Sequence, residues 1–392
     1  MEESPYDGEE IEDSPYDEGQ WKPKTERRGR NLLTGIITAA VAVAALLVFA
    51  FRDGLTPEGL QRLFGIAAPG EERPPFSYES GSDLVFATCG NGLAVASGSV
   101  IELFGASGES VFREIVYYDC PAVFASATGA LFCDLGGDGC AMVSYRGEKR
   151  PLEPRGEILT AHRTEDGWVA LTTTAAGYKG LVSVYDASAV LRYEWWSGAG
   201  YVLKACISPD HSYLAALCAV DGGSVLHVYR LDSEEEYASF SFAGELPFEL
   251  GFLSEENLCV AGKNALYFLT AAGETLDRYE LGSYTLADYD LGGQGFAAVF
   301  VRSGAAGQGG LLQTFDADGT PLAYAELDRD PVSLSASGQK LLVLTGGYLA
   351  LYDREMHEKY WDDGLMTATK AMLRSNGSAF LVGSYAAEIL EF

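Results

Sequence analysis

At 392 residues the chain has room for two or three ordinary domains, and its formal net charge of −29 excludes a nucleic-acid or anionic-polymer partner, because fixed carboxylates repel phosphate backbones. The first 31 residues are acidic, yet the remainder still carries net −24, so the repulsion belongs to the bulk of the chain. A composition of 47 % hydrophobic residues with 46 glycines against 14 prolines excludes disorder and suits many short strands joined by tight turns.

Residues 1–31 form an acidic tail that lacks the material for a core, ending in a basic cluster beside the next segment. Inside it Ser4-Pro5-Tyr6-Asp7 and Ser14-Pro15-Tyr16-Asp17 repeat at a spacing of ten. The pair reads either as a bivalent motif presenting Tyr6 and Tyr16 to a partner, or as a solvated tail duplicated by slippage. Residues 32–51 follow, 20 residues without a charge. At about 1.5 Å per residue such a helix spans a hydrocarbon core of about 30 Å. Lys22, Lys24, Arg27, Arg28 and Arg30 lie just before it, so the positive-inside rule puts the N-terminus in the cytoplasm and the C-terminal domain outside the cell membrane. The apolar run is too long, and the polar stretch ahead of it too extended, for a cleaved signal. Residues 52–75 read as a short helix begun by Thr56 and Pro57, then a linker carrying Gly and Pro.

From residue 76 to 392 two hairpin types alternate. The first, an apolar strand, a polar turn and a second apolar strand, is clearest over residues 204–217 and recurs over 159–171, 332–344 and 371–382. In the second, an apolar strand ends on an aromatic residue, often followed by Asp, and turns into a strand rich in Tyr and charge, as in residues 181–193, 266–279, 311–324 and 349–361. Two hairpins make a four-stranded unit whose outer strand is polar enough to face water, which is the blade of an all-β propeller. Innermost strands are expected near residues 83, 121, 158, 203, 248, 286, 331 and 368, spaced 37 to 45 apart. That gives eight blades, with seven as the alternative. The last unit has three strands, and residues 76–80 are expected to supply the fourth and close the ring.

Tyr185-Asp186, Phe315-Asp316 and Tyr352-Asp353 stand where the Trp-Asp dipeptide ends a strand in WD repeats, so the hairpins resemble those of WD-repeat and quinoprotein-like propellers. The layout of one span followed by a propeller resembles a bacterial family of anchored extracytoplasmic proteins that carries a domain of unknown function. That resemblance implies fold and placement and brings no catalytic residues.

Chemistry is sparse. No nucleophile elbow, zinc-protease helix, phosphate loop or EF-hand spacing is present, and the four histidines fall on separate turns and strands, so no catalytic residue, metal site or cofactor is expected. Asp134 and Asp138 in a Gly-rich turn offer carboxylates for Ca²⁺, against the plain reading of a turn; Asn376-Gly377-Ser378 has the form of a glycosylation sequon but falls at a turn. Seven cysteines, an odd number, rule out a disulfide framework, with Cys133 and Cys140 across one hairpin as the single pair left open. Binding residues gather on irregular loops held by a rigid scaffold. In a propeller these loops are the connections between blades and between hairpins, which carry Tyr178, Lys179, Trp195, Trp196, Tyr201, Arg302, Trp361, Asp362 and Asp363. The expected function is non-enzymatic binding or scaffolding of an extracytoplasmic protein, peptide or glycan. The alternatives are a hydrolase or lyase at the mouth of the central channel, and signalling through the duplicated tail motif.

Overall fold

A computed structural model describes residues 74–79, 81, 83–304, 307–364 and 368–392; the acidic tail, the expected span and the expected short helix lie outside the described residues. Among the described residues every regular element is a strand, none is a helix, and the strands form eight four-stranded antiparallel sheets. Innermost strands begin at Val85, Pro121, Ile158, Tyr201, Glu249, Thr285, Pro331 and Lys370, each within two residues of the start read from the hairpin pattern. The propeller therefore has eight blades, numbered here in that order.

Burial explains why these segments pair. The two middle strands of a blade meet a neighbouring sheet on both faces, and Gly92–Ala96, Val100–Phe104, Val169–Thr173 and Gly180–Tyr185 are buried at every position. The outermost strands, such as Ser110–Ile115 and Thr275–Glu280, are largely exposed and carry the charge that discourages edge pairing. The core is divided into eight clusters, each shared by two successive blades. Leu93, Val95 and Phe104 of blade 1 pack with Phe380 and Val382 of blade 8, so the clusters run round the whole ring.

The ring closes on its own first strand. Phe76 pairs with Ala387 and Ser77 with Ala386, making Phe76–Ser77 the outer strand of blade 8. The Phe76 ring lies 5.0 Å from Phe104 and 5.9 Å from Phe380. Beyond it, the Tyr78 hydroxyl donates to the carbonyls of Gly383 at 2.6 Å and Ala386 at 3.0 Å.

One turn recurs in the second hairpins. The backbone N–H groups of Gly105, Ser144, Asp186, Thr270, Asp316 and Asp353 each bond the carbonyl four residues on. The residue three positions on has positive φ: Gly108, Gly147, Ala189, Gly273, Gly319 and Met356. This is a three-residue hairpin loop closed by a left-handed residue, which explains the Gly-rich spacing of the sequence. The Asp of the aromatic-Asp pairs caps it, since Asp186 Oδ1 accepts the N–H groups of Ser188 and Val190 while Oδ2 pairs with Arg192. Asn376-Gly377-Ser378 is likewise a turn, with Ser378 N–H donating to Asn376 Oδ1 at 3.0 Å and Gly377 at φ 88°.

Candidate functional site

The antiparallel meander gives the propeller two unlike ends. Turns within hairpins lie at one, the turn end; connections between hairpins and between blades lie at the other, the connection end. A cavity of about 1210 Å³ opens at the turn end and is lined by the first turn of every blade, through Gly90, Ala127, Glu165, Pro209, Glu255, Gln294, Gly338 and Ser375. Glu165, Asp166, Glu255 and Glu256 give its rim an acidic character, with Arg163 as the opposing cation in the lining.

Along the innermost strands, charged groups tie blades together. Lys204 Nζ meets Glu249 Oε2 at 3.0 Å, and the Tyr289 hydroxyl donates to the same oxygen at 2.9 Å, joining blades 4, 5 and 6. Asp290 accepts from the N–H of Gly292 at 2.6 Å and of Ala336 at 2.8 Å, clasping blade 6 to blade 7, and Lys370 Nζ donates to the Phe86 carbonyl at 3.3 Å between blades 8 and 1. Burial disfavours the charged form of three groups on these strands: it pushes the Asp290 carboxyl up to about 6, raises Asp288 and lowers Lys370. The same burial takes His162 down to about 4, in keeping with a neutral ring whose Nδ1 accepts the Ile207 N–H at 3.4 Å.

At the connection end the residues expected from sequence fall into two groups. Tyr178, Lys179, Trp196 and Tyr201 form one patch over the junction of blades 3 and 4. The Tyr178 and Trp196 rings are 5.1 Å apart; Lys179 Nζ lies 4.7 Å from the Tyr201 ring centroid and 3.2 Å from its hydroxyl. Trp196 is 38 % exposed and Tyr201 60 %. Alternation along Leu191–Ser197 sends Trp195 the other way, into the core between blades 3 and 4, with its ring 5.1 Å from Tyr229. The second group lies on blades 6 and 7: Arg302 is paired with Asp330 at 2.8 Å, Trp361 faces Tyr348 at 6.3 Å, Asp362 accepts the Gly364 N–H at 2.8 Å, and Asp363 is exposed. Tyr6 and Tyr16 lie outside the described residues. Sequence reasoning passed over Tyr117, Leu246 and Tyr385, which are exposed in connections of the same end, Tyr117 at 93 %. Their only signal was position in a connection.

Two further arrangements bear on metal binding. Asp134, offered from sequence for Ca²⁺, spends Oδ1 on the Cys120 N–H at 2.8 Å, which ties its loop to the connection entering blade 2. Asp353, Glu355 and His357 place ligand atoms within 4.8 Å of one another on a blade 7 turn. Cations already serve that turn, Lys359 Nζ at 2.9 Å from Asp353 and Arg354 Nε at 2.9 Å from Glu355. Cys133 and Cys140 face each other as thiols, Sγ to Sγ 3.4 Å.

No curated protein sequence matches the chain. Among solved structures, BamB from Moraxella catarrhalis is similar with a TM-score of 0.53 at 14 % identity, covering 82 % of this chain and 99 % of that one. The C-terminal WD40 domain of Sif2 is similar with a TM-score of 0.54 at 12 % identity, covering 82 % and 98 %. At such identities the likeness is one of fold, the β-propeller. Residues 76–385, nearly the whole propeller, match a family described as a family of unknown function, and the chain belongs to that family, DUF5711.

Proposed function

We propose that the chain is a membrane-anchored protein whose extracytoplasmic propeller holds a protein partner at its connection end. The observation that carries this reading is the patch of Tyr178, Lys179, Trp196 and Tyr201: three exposed aromatic residues on adjoining blade ends, with Tyr178 held against Trp196 and Lys179 over the Tyr201 ring. Interfaces concentrate their energy in such Trp and Tyr anchors, because these side chains bury large area at small entropic cost. Binding is favoured over turnover because Glu249 and Asp290, the deep carboxylates best placed for acid–base work, are spent on bonds between blades. The uncharged run 32–51 and the basic residues before it support the anchor and its direction, with the Tyr6 and Tyr16 motifs then on the cytoplasmic side.

The test is affinity capture from host envelope extracts with the full-length protein in detergent, comparing wild type with Trp196→Ala/Tyr201→Ala. Loss of a specific partner, with an unchanged melting curve, is the expected result. Equal recovery by both proteins removes the patch as the binding surface, and a captured glycan in place of a protein changes the partner class.

A further inference from the structure

We propose that Cys133 and Cys140 are joined in the mature protein by a disulfide that staples the connection loop between the second and third strands of blade 2; the oxidising surroundings it needs rest on the extracytoplasmic placement proposed above.

Cys133 ends the buried run of Gly129–Asp134 and Cys140 opens Cys140–Ser144, and the two are direct cross-strand partners. The next pair outward is hydrogen-bonded, Asp134 N–H to the Gly139 carbonyl at 2.9 Å. Bonded and non-bonded pairs alternate in an antiparallel ladder, so the cysteines occupy a non-bonded pair, where Cα atoms approach to about 4.5 Å. That separation lies within the range a disulfide spans, about 4.4–6.8 Å. The sulfurs are 3.4 Å apart, both side chains pack in the one cluster between blades 2 and 3, and closing to a bond of about 2.05 Å needs only small rotations. All seven cysteines are among the described residues, and this is the one pair of sulfurs in contact.

The loop it would fasten is a joint. Leu135 N–H bonds the Cys120 carbonyl, Gly136 N–H bonds the Ile158 carbonyl, and Ile158 N–H bonds Gly137, each at 2.8 Å, so the loop links the start of blade 2 to the start of blade 3. Gly139 lies against the Tyr118 ring. The staple therefore stiffens the connection end, the end proposed to bind.

The chemistry is thiol–disulfide exchange. One cysteine thiolate attacks the disulfide of an exported oxidant, releasing one of its thiols; the second cysteine then attacks the mixed disulfide and releases the other. Two thiol protons are lost and two electrons pass to the oxidant. Cys133 is fully buried, and burial, reinforced by its contact with Cys140, holds its thiol well above the ordinary value. The exchange accordingly belongs to folding, before blades 2 and 3 pack, and the finished bond resists reductant until the propeller unfolds.

Trypsin releases residues 114–146 as one peptide holding Cys120, Cys133 and Cys140. Full-length protein from its host, quenched in acid and alkylated in denaturant, is expected to yield this peptide with one alkyl group, on Cys120, and two hydrogens short; prior reduction restores three groups. Protease digestion of intact cells reports the placement of the propeller in parallel. Three groups without reduction, on a propeller digested from outside, overturns the disulfide and leaves the placement standing. If the propeller is protected inside, the full chain is refolded with oxidised and reduced glutathione: a Cys133–Cys140 bond there supports the pair while the placement falls, and its absence, or a bond to Cys120, overturns the pair.

Discussion

Arg374→Met is the sharpest test of how the ring is held shut. Arg374 sits in the first turn of blade 8, is 1 % exposed, and lays its guanidinium 4.6 Å from the centre of the Phe380 ring. Across the seam its Nε and Nη2 donate to the Asn91 carbonyl at 3.0 and 2.6 Å and Nη2 also to the Ala106 carbonyl at 2.6 Å, while Nη1 donates to Ser378 Oγ at 2.9 Å. Methionine keeps the stem and deletes the donors, leaving two carbonyls of blade 1 without charge-assisted bonds worth about 1.5–3 kcal/mol each. Relief from burying a charge offsets part of this, so the net loss is about 3–5 kcal/mol. With an unfolding entropy of about 2 cal/mol/K per residue over roughly 300 residues, the melting temperature falls by about 5–8 °C. Calorimetry of the purified protein reads the shift. Hydrogen exchange over Lys370–Leu373 and Ala379–Val382 shows whether blade 8 opens first. A melting temperature within about 1 °C of wild type, with no gain in exchange there, would refute the reasoning.

Two half-buried groups on innermost strands give opposite pH dependences. His162, lowered from 6.5 to about 4, contributes stability that is present above 6.5 and lost as pH falls through about 4; Asp290, raised from 3.8 to about 6, contributes stability present below 3.8 and lost as pH rises through about 6. Melting curves from pH 4 to 7 should therefore lose acid sensitivity in His162→Gln and gain relative stability toward neutral pH in Asp290→Asn, and parallel curves for all three proteins would contradict both assignments. Ala189, at φ 63° in the turn position that Gly108, Gly147, Gly273 and Gly319 fill elsewhere, pays for a left-handed backbone. Ala189→Gly is expected to stabilise by about 0.5–1 kcal/mol in urea titrations, and a loss of stability would count against the strain.

The blades were legible because they are local. Each hairpin writes its own signature in adjacent residues, apolar runs for the buried middle strands and turns that Asp or Asn caps and in which Gly most often takes the left-handed position, so the innermost strands could be placed to within two residues. Closure by residues near 76 was legible by subtraction, since the last unit lacked a strand. The contacts that secure that closure were not. Arg374 reaches a carbonyl 283 residues away and Tyr78 one 305 away, and no periodicity marks a residue whose partner is contributed by the other end of the chain. Arg374 reads in the sequence as an ordinary turn residue, and only the ring geometry buries it.

The two ends were unequally legible for a related reason. At the connection end a side chain is freed from the turn chemistry that dictates residue type, so an aromatic placed there stands out, as Tyr178 and Trp196 do; alternation then separates Trp196 from Trp195 without knowledge of the fold. At the turn end the residues are those any tight turn demands, and Gly90, Gln294 and Gly338 acquire a shared meaning only when eight turns converge on one cavity. The division also places tolerance for change. A substitution in a turn disturbs the hydrogen bonds that set blade register, whereas exposed residues such as Tyr201 and Trp196 can vary without touching the core. A propeller that must bind a particular partner has its freedom at the connection end, and the facing thiols of Cys133 and Cys140 lie where one covalent bond would stiffen that end while leaving the eight turns untouched.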